Sequence, residues 1–154
     1  MPIKQYYNMS QFITLEDYDA SIHREILDAL LRHDSEIADS AIIEICEDRA
    51  IEEMRCYMDK FYDCDAIFGA TGSDRNQLVL MMALDIAIYH IFCQHNPYKM
   101  SKVREDRYNR AVEWLKAVAA GKVTIANAPR LPEEEQAKNS PWQIASEELR
   151  PTHF

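Results

Sequence analysis

Glycine is scarce in this chain: Gly69, Gly72 and Gly121 are the three present among 154 residues. Tight turns and backbone cradles around phosphate draw on glycine for positive φ angles and close backbone approach, so its scarcity disfavours both and favours helices. Neither the dinucleotide-binding GxGxxG nor the phosphate-binding GxxxxGK[ST] can be written with these positions, and no GxSxG elbow surrounds a serine. The four cysteines, Cys46, Cys56, Cys64 and Cys93, have no C-x-x-C spacing, and no basic stretch followed by an apolar one opens the chain, which predicts a reducing, cytosolic setting. The longest apolar run, residues 78–93, is interrupted by Asp85 and His90. It falls short of the roughly 18 to 20 residues of a membrane span, so a core helix is expected and no membrane partner.

Positive charge is also in deficit. Seventeen basic residues stand against 26 acidic ones, a formal net charge of -9, and the average field repels nucleic acid and anionic membrane. Any DNA contact is therefore indirect or confined to one face.

What the chain does have is 47% hydrophobic residues over 154 positions, enough for one core of ordinary size. The periodicity predicts an all-α single compact domain of about four to five helices over residues 1–125, with an extended arm at 1–13. Thr14 with Asp17 makes a helix start, in which a threonine oxygen accepts a first-turn N–H and the carboxylate favours the positive helix end. Ile22, Ile26, Leu27, Leu30 and Leu31 form an apolar stripe over residues 21–31. A long helix follows over about residues 36–61. Its stripe shifts: Ile37, Ala41, Ile42 and Ile45 share one face, whereas Ala50, Ile51, Met54, Tyr57, Met58 and Phe61 lie nearly opposite at about 100° per residue. That implies a break near Glu47 and Asp48, or different partners at the two ends. Asp74 with Gln77 is the expected cap of the apolar helix that ends at His95. Ser101 caps the last helix, in which Tyr108, Ala111, Val112, Leu115, Val118 and Ala119 share a face, and Gly121 ends it. Residues 126–154, with Pro129, Pro132, Pro141 and Glu133 to Glu135, read as an extended or disordered tail in which Trp142 and Ile144 stand out; Trp142 is a candidate anchor for a partner.

Catalytic and metal constellations are thin. His90, Cys93 and His95 are the most metal-like cluster, but a fourth ligand is missing, and a core histidine beside a buried cysteine explains them. Asp63 and Asp65 lack the regular oxygen spacing of a calcium loop. Glu44, Glu47, Asp48, Glu52 and Glu53 lack the Glu-x-x-His of a di-iron helix and read as a charged face. No catalytic residue, metal or cofactor is expected. A carboxylate within an apolar helix needs a cation, so Asp85 is expected to pair with Arg104 or Arg107. Arg104, Arg107 and Arg110, with Lys99 and Lys102, are the one basic concentration.

Four stretches carry a resemblance. Asp85-Ile86-Ala87-x-Tyr89-His90-x-Phe92 is followed by Arg104-x-x-Arg107-Tyr108-x-x-Ala111-x-x-Trp114-Leu115-x-x-Val118-Ala119-x-Gly121-Lys122-Val123. Upstream lie Phe12-Ile13-Thr14-x-Glu16-Asp17 and Glu53-x-x-Cys56-Tyr57-Met58-x-Lys60-Phe61-Tyr62-Asp63. Together, over about residues 12–125, they resemble the small Mu-like tailed-phage and prophage proteins grouped with head-tail connectors, with Lys60-Phe61 where an arginine-tyrosine pair is usual. The resemblance implies a helical, non-enzymatic virion subunit that forms a ring at the portal vertex and completes the DNA exit channel. Its packing core is expected at Tyr89, Phe92, Tyr108, Ala111, Trp114 and Leu115. Partners would be the portal and neighbouring head-tail proteins, and the location the host cytoplasm and then the virion. The alternative is a cytoplasmic adaptor domain that binds one protein partner.

Overall fold

A computed structural model of the chain describes residues 11–22, 39–95, 98 and 100–139. Among the described residues the fold is all-α. In chain order, α1 spans Leu15–Asp19, α2 Asp39–Met58, α3 Cys64–Gly69, a 3-10 turn Gly72–Asp74, α4 Gln77–His95, α5 Lys102–Ala119 and α6 Glu133–Lys138. The expected helix over 21–31 falls almost wholly outside the described residues, as do most of the arm at 1–13 and both Trp142 and Ile144.

Helix α4 is the centre. It packs on both α2 and α5, which also touch each other. Val79, Ala83, Ile86, Ala87, Ile88 and Ile91 are all fully buried, so α4 is covered on nearly every side. Residues 82–88 are buried without interruption, and a stretch with no solvent face has no polar stripe; Leu78 and Met81, nearer the start of the helix, are exposed. Residues 77–94 would suit a membrane span by length and composition, so the expected shortfall in length does not hold; its neighbours in the bundle bury this helix.

Helix α2 does not break at Glu47 and Asp48. Ile43, Cys46, Glu47, Ala50, Met54 and Met58 are buried along one continuous stripe, flanked by Ile42 and Ile51, while Ile45 is exposed. The apparent shift of face came from counting Ile45 as apolar core and Glu47 as solvated; the reverse is true of both.

Local end signals decide the remaining boundaries. Ser101 Oγ accepts from the Arg104 N–H at the start of α5. At its end Gly121, at φ 70, lets the N–H groups of Gly121 and Lys122 reach the carbonyls of Val118 and Ala117, the paired bonds of a glycine-terminated helix. In α1 the carboxylate of Asp17 accepts from both the N–H and the hydroxyl of Thr14, within the reciprocal capping box that the sequence predicts. The cap of α4 is Asn76, whose Oδ1 accepts from Leu78 and Val79 N–H at 3.1 Å each. Asp74 instead closes the 3-10 turn before it.

Residues 126–139, expected as extended or disordered, turn back across the core. Pro129 and Leu131 pair through their backbone with Asp63 and Phe61 around an isolated antiparallel bridge between Tyr62 and Arg130, and α6 follows. The prolines set this path: Pro132 ends the extended stretch and stands at the N-terminal boundary of α6, a position that tolerates its missing donor.

Candidate functional site

Where α2, α4 and α5 meet, buried or half-buried polar groups tie the helices together. Asp85, 4% exposed, accepts from Arg110 Nη2 at 2.6 Å. The carboxylate is thus paired, but with neither Arg104 nor Arg107. Arg104 donates to the Ser21 carbonyl, and Arg107 is half-buried on α5. The register explains the choice. Tyr89 and Tyr108 stack face to face, 3.8 Å between centroids and 9° between planes. In an antiparallel pair, a residue one turn before Tyr89 therefore meets one shortly after Tyr108, and that residue is Arg110. Desolvation, reinforced by the nearby Arg107, pushes the Arg104 guanidinium below its ordinary value.

Glu53 of α2 bridges both other helices. Its Oε1 accepts from the Tyr108 hydroxyl at 2.9 Å, and its Oε2 lies 3.0 Å from His90 Nε2. Burial, then the bond to Glu53, pushes the Tyr108 phenol well above its usual range. A hydrogen bond with Cys93, then burial, raises Tyr89. His90 is thus a carboxylate partner in a helix junction, and Cys93 is exposed beside Tyr89 rather than buried. Among the described residues no group of three or more His, Cys, Asp or Glu is arranged to hold a metal.

Two further carboxylates fasten α1. Glu47, 8% exposed, accepts from the Tyr18 hydroxyl at 2.8 Å. Burial pushes its pKa up to about 7; the Tyr18 bond works against this, and Glu44, Asp48 and Asp17 add to it. Asp17 is held below its ordinary value: burial pushes it up, but Arg75 and Thr14 outweigh that. Arg75 grips Asp17 at 2.6 Å and also donates to the carbonyls of Phe12 and Gly72.

Of the expected packing residues, Phe92, Ala111 and Leu115 are buried, and Tyr108 and Trp114 are half-buried against the same core. Tyr89 is half-buried in the stack. Trp142 lies outside the described residues. Asp63 caps α3 by accepting from the Ala66 N–H at 3.0 Å, and Asp65 pairs with Arg55 at 2.8 Å. Both border an open polar groove of about 570 Å³ that Lys60, Leu131 and Glu135 also line.

The two buried thiols, Cys46 and Cys64, are not poised as nucleophiles. Burial pushes Cys46 up to about 11 and Cys64 higher still, so both stay protonated near neutrality. Sequence reading missed Glu47, Glu53 and Arg75. The signal available for Glu47 was its position between Ile43, Ala50 and Met54 on one helical stripe. For Arg75, which acts between elements distant in sequence, no local signal existed.

A small bundle in which paired polar groups fasten the helices to one another belongs to the class of all-α helical-bundle domains. Over residues 9–142 the chain matches the family described as bacteriophage Mu, Gp36, and it belongs to that family. No curated protein and no solved structure matches it. It is a phage protein, and the resemblance read from residues 12–125 is borne out at that level.

Proposed function

We propose that this chain is a non-enzymatic structural subunit of a tailed phage or prophage virion, a head-tail connector or head-completion protein that acts at the portal vertex. The observation that carries this reading is membership of the Mu Gp36 family over residues 9–142. The use of the polar groups supports it. Asp85, Glu47 and Glu53 each face a donor from another element, an arrangement that stiffens a bundle and leaves these carboxylates no substrate to act on. A rigid bundle flanked by terminal segments suits a ring subunit, with the segments reaching neighbours. In this reading the subunit is made in the host cytoplasm, docks on portal and adjacent head-tail proteins as a homo-oligomeric ring, and meets DNA only as channel lining. Trp142 is the proposed docking residue.

The test is co-sedimentation of the full chain with purified portal rings from the same phage or prophage, alongside a chain truncated after Ile125 and a Trp142→Ala variant. Saturable binding by the full chain, weakened by both changes, is expected. No binding by the full chain would move the function to another site in the virion or to a single-partner adaptor.

A further inference from the structure

We propose that residues 125–139 are an exchangeable arm: docked on their own chain here, they dock through the same contacts on a second copy when copies are held side by side. The arm is fixed by few and mostly polar contacts. Ile125 is its one buried residue; Ala128, Leu131 and Gln136 are half-buried, and the others are exposed. The remaining hold consists of hydrogen bonds and of the Arg130 guanidinium over the Tyr62 ring. Ile125 N–H donates to the Tyr62 hydroxyl at 2.8 Å, and Asn76 donates to the Ala126 carbonyl at 2.9 Å. Asp63 and Leu131 N–H donate to the Pro129 and Phe61 carbonyls at 3.0 Å each, and Asn139 reaches the Asp59 carbonyl at 3.4 Å. A segment with so little apolar burial opens locally at far lower cost than the core.

The link to α5 is suited to opening. Gly121, Lys122, Val123 and Thr124 are all exposed, so extending them uncovers no core. Asn127, at φ 59, turns the arm back in a left-handed conformation that an extended path would release.

The identity of the second occupant follows from what the departing arm leaves behind. The Asp63 N–H and the Phe61 carbonyl become an unpaired backbone edge, a template for another extended segment. Beside it stand the Tyr62 hydroxyl and the ring on which Arg130 rests at 5.7 Å. The segment that satisfies all of these at once is residues 125–139 of an identical chain, which is the condition for swapping between protomers. In dilute solution the tether keeps the arm at home through its high effective concentration; in an assembly the neighbour's site competes on similar terms.

This inference rests on the assembly reading for its purpose, but its test needs no phage component, so either can fail alone. In a Cys56→Ser, Cys93→Ser background, Tyr62→Cys and Arg130→Cys are introduced together, because the bridge places these positions opposite each other. Asp59→Cys with Asn139→Cys, two exposed positions joined by a short thiol crosslinker, serves as a second pair that spares the buried tyrosine. Isotope-labelled and unlabelled chains are mixed, incubated over a range of concentrations and crosslinked. Links are then read by mass spectrometry. Intermolecular links between positions 62 and 130, or 59 and 139, should rise relative to intramolecular ones about tenfold per tenfold increase in concentration, and should outnumber like-with-like links. Strictly intramolecular links at every concentration, or mixed links no commoner than like-with-like ones, would overturn the proposal.

Discussion

Residues 11–22 and 125–139 both run across the outside of the α2–α4–α5 bundle, and they are held by different forces. The first segment buries Phe12, Ile13, Tyr18 and Ile22, sets Phe12 edge-on against Phe68 at 5.2 Å, and is gripped by Arg75 and Arg104. The second buries Ile125 and otherwise relies on hydrogen bonds to backbone and to Tyr62. Apolar burial is lost on undocking, whereas an opened hydrogen bond is largely replaced by one to water. The N-terminal segment is thus an integral part of the fold, and the C-terminal one is an attachment.

The strongest way to break this contrast is to remove the apolar anchor of the first segment. Phe12→Ala deletes a fully buried ring and should cost about 3 to 5 kcal/mol in urea denaturation, with the whole domain unfolding as one unit. A loss of stability near zero would mean that residues 11–22 are as detachable as the arm.

Next in size is a pH effect. Glu47 titrates at about 7 in the folded protein against an ordinary 4.5. The folded state therefore holds this proton more tightly than the unfolded one. Its contribution is fully present below pH 4.5 and is lost as pH rises through 7, an amplitude of at most about 3 kcal/mol. Stability measured from pH 4.5 to 8 should fall, and Glu47→Gln should flatten the fall, since an amide oxygen can still accept from Tyr18. Tyr18→Phe removes the one contact that lowers Glu47, and should carry the decline to higher pH. An unchanged slope in Glu47→Gln would assign the pH dependence elsewhere.

The same contrast separates what could be read in the sequence from what could not. The ends of α5 were legible because Ser101 and Gly121 act within a few residues of themselves, and α4 was legible because its apolar run is unbroken but for Asp85 and His90. The partner of Glu47 was not, because it is Tyr18, 29 positions away. Arg110 was visible as part of a basic cluster, but its choice as partner of Asp85 was hidden, since it follows from a register that the Tyr89 and Tyr108 stack sets. The docking of residues 126–139 was not legible, because proline and glutamate content reports weak core-forming power, and this segment docks mainly through backbone hydrogen bonds, to which composition is blind.

A smaller effect is expected at the arm's own apolar anchor. Burial of Ile125 alone would place Ile125→Ala at about 2 to 5 kcal/mol. The arm can leave instead, so the cost is capped by its docking free energy, and we expect about 1 to 2 kcal/mol. Amide exchange supplies the sharper readout: the Asp63 and Leu131 N–H groups, both bonded to or from the arm, should exchange faster, while the Ile22 N–H, bonded to the Tyr18 carbonyl, should not change. Faster exchange at Ile22 as well would show that the two segments open together.

The smallest change is the most discriminating. Tyr62→Phe removes the oxygen that accepts the Ile125 N–H at 2.8 Å and keeps the ring on which Arg130 rests. If the arm were integral, that buried N–H would be stranded, at a cost of about 1 to 3 kcal/mol to the whole domain. If the arm is an attachment, the N–H finds water as soon as the arm lifts. Global stability should then change by less than about 1 kcal/mol, while exchange at Asp63 and Leu131 accelerates. The ratio between these two readouts matters more than either alone. Local opening with little global loss would fix the arm as separable from the bundle. A global loss matching that of Phe12→Ala would show that the bundle needs the arm in place.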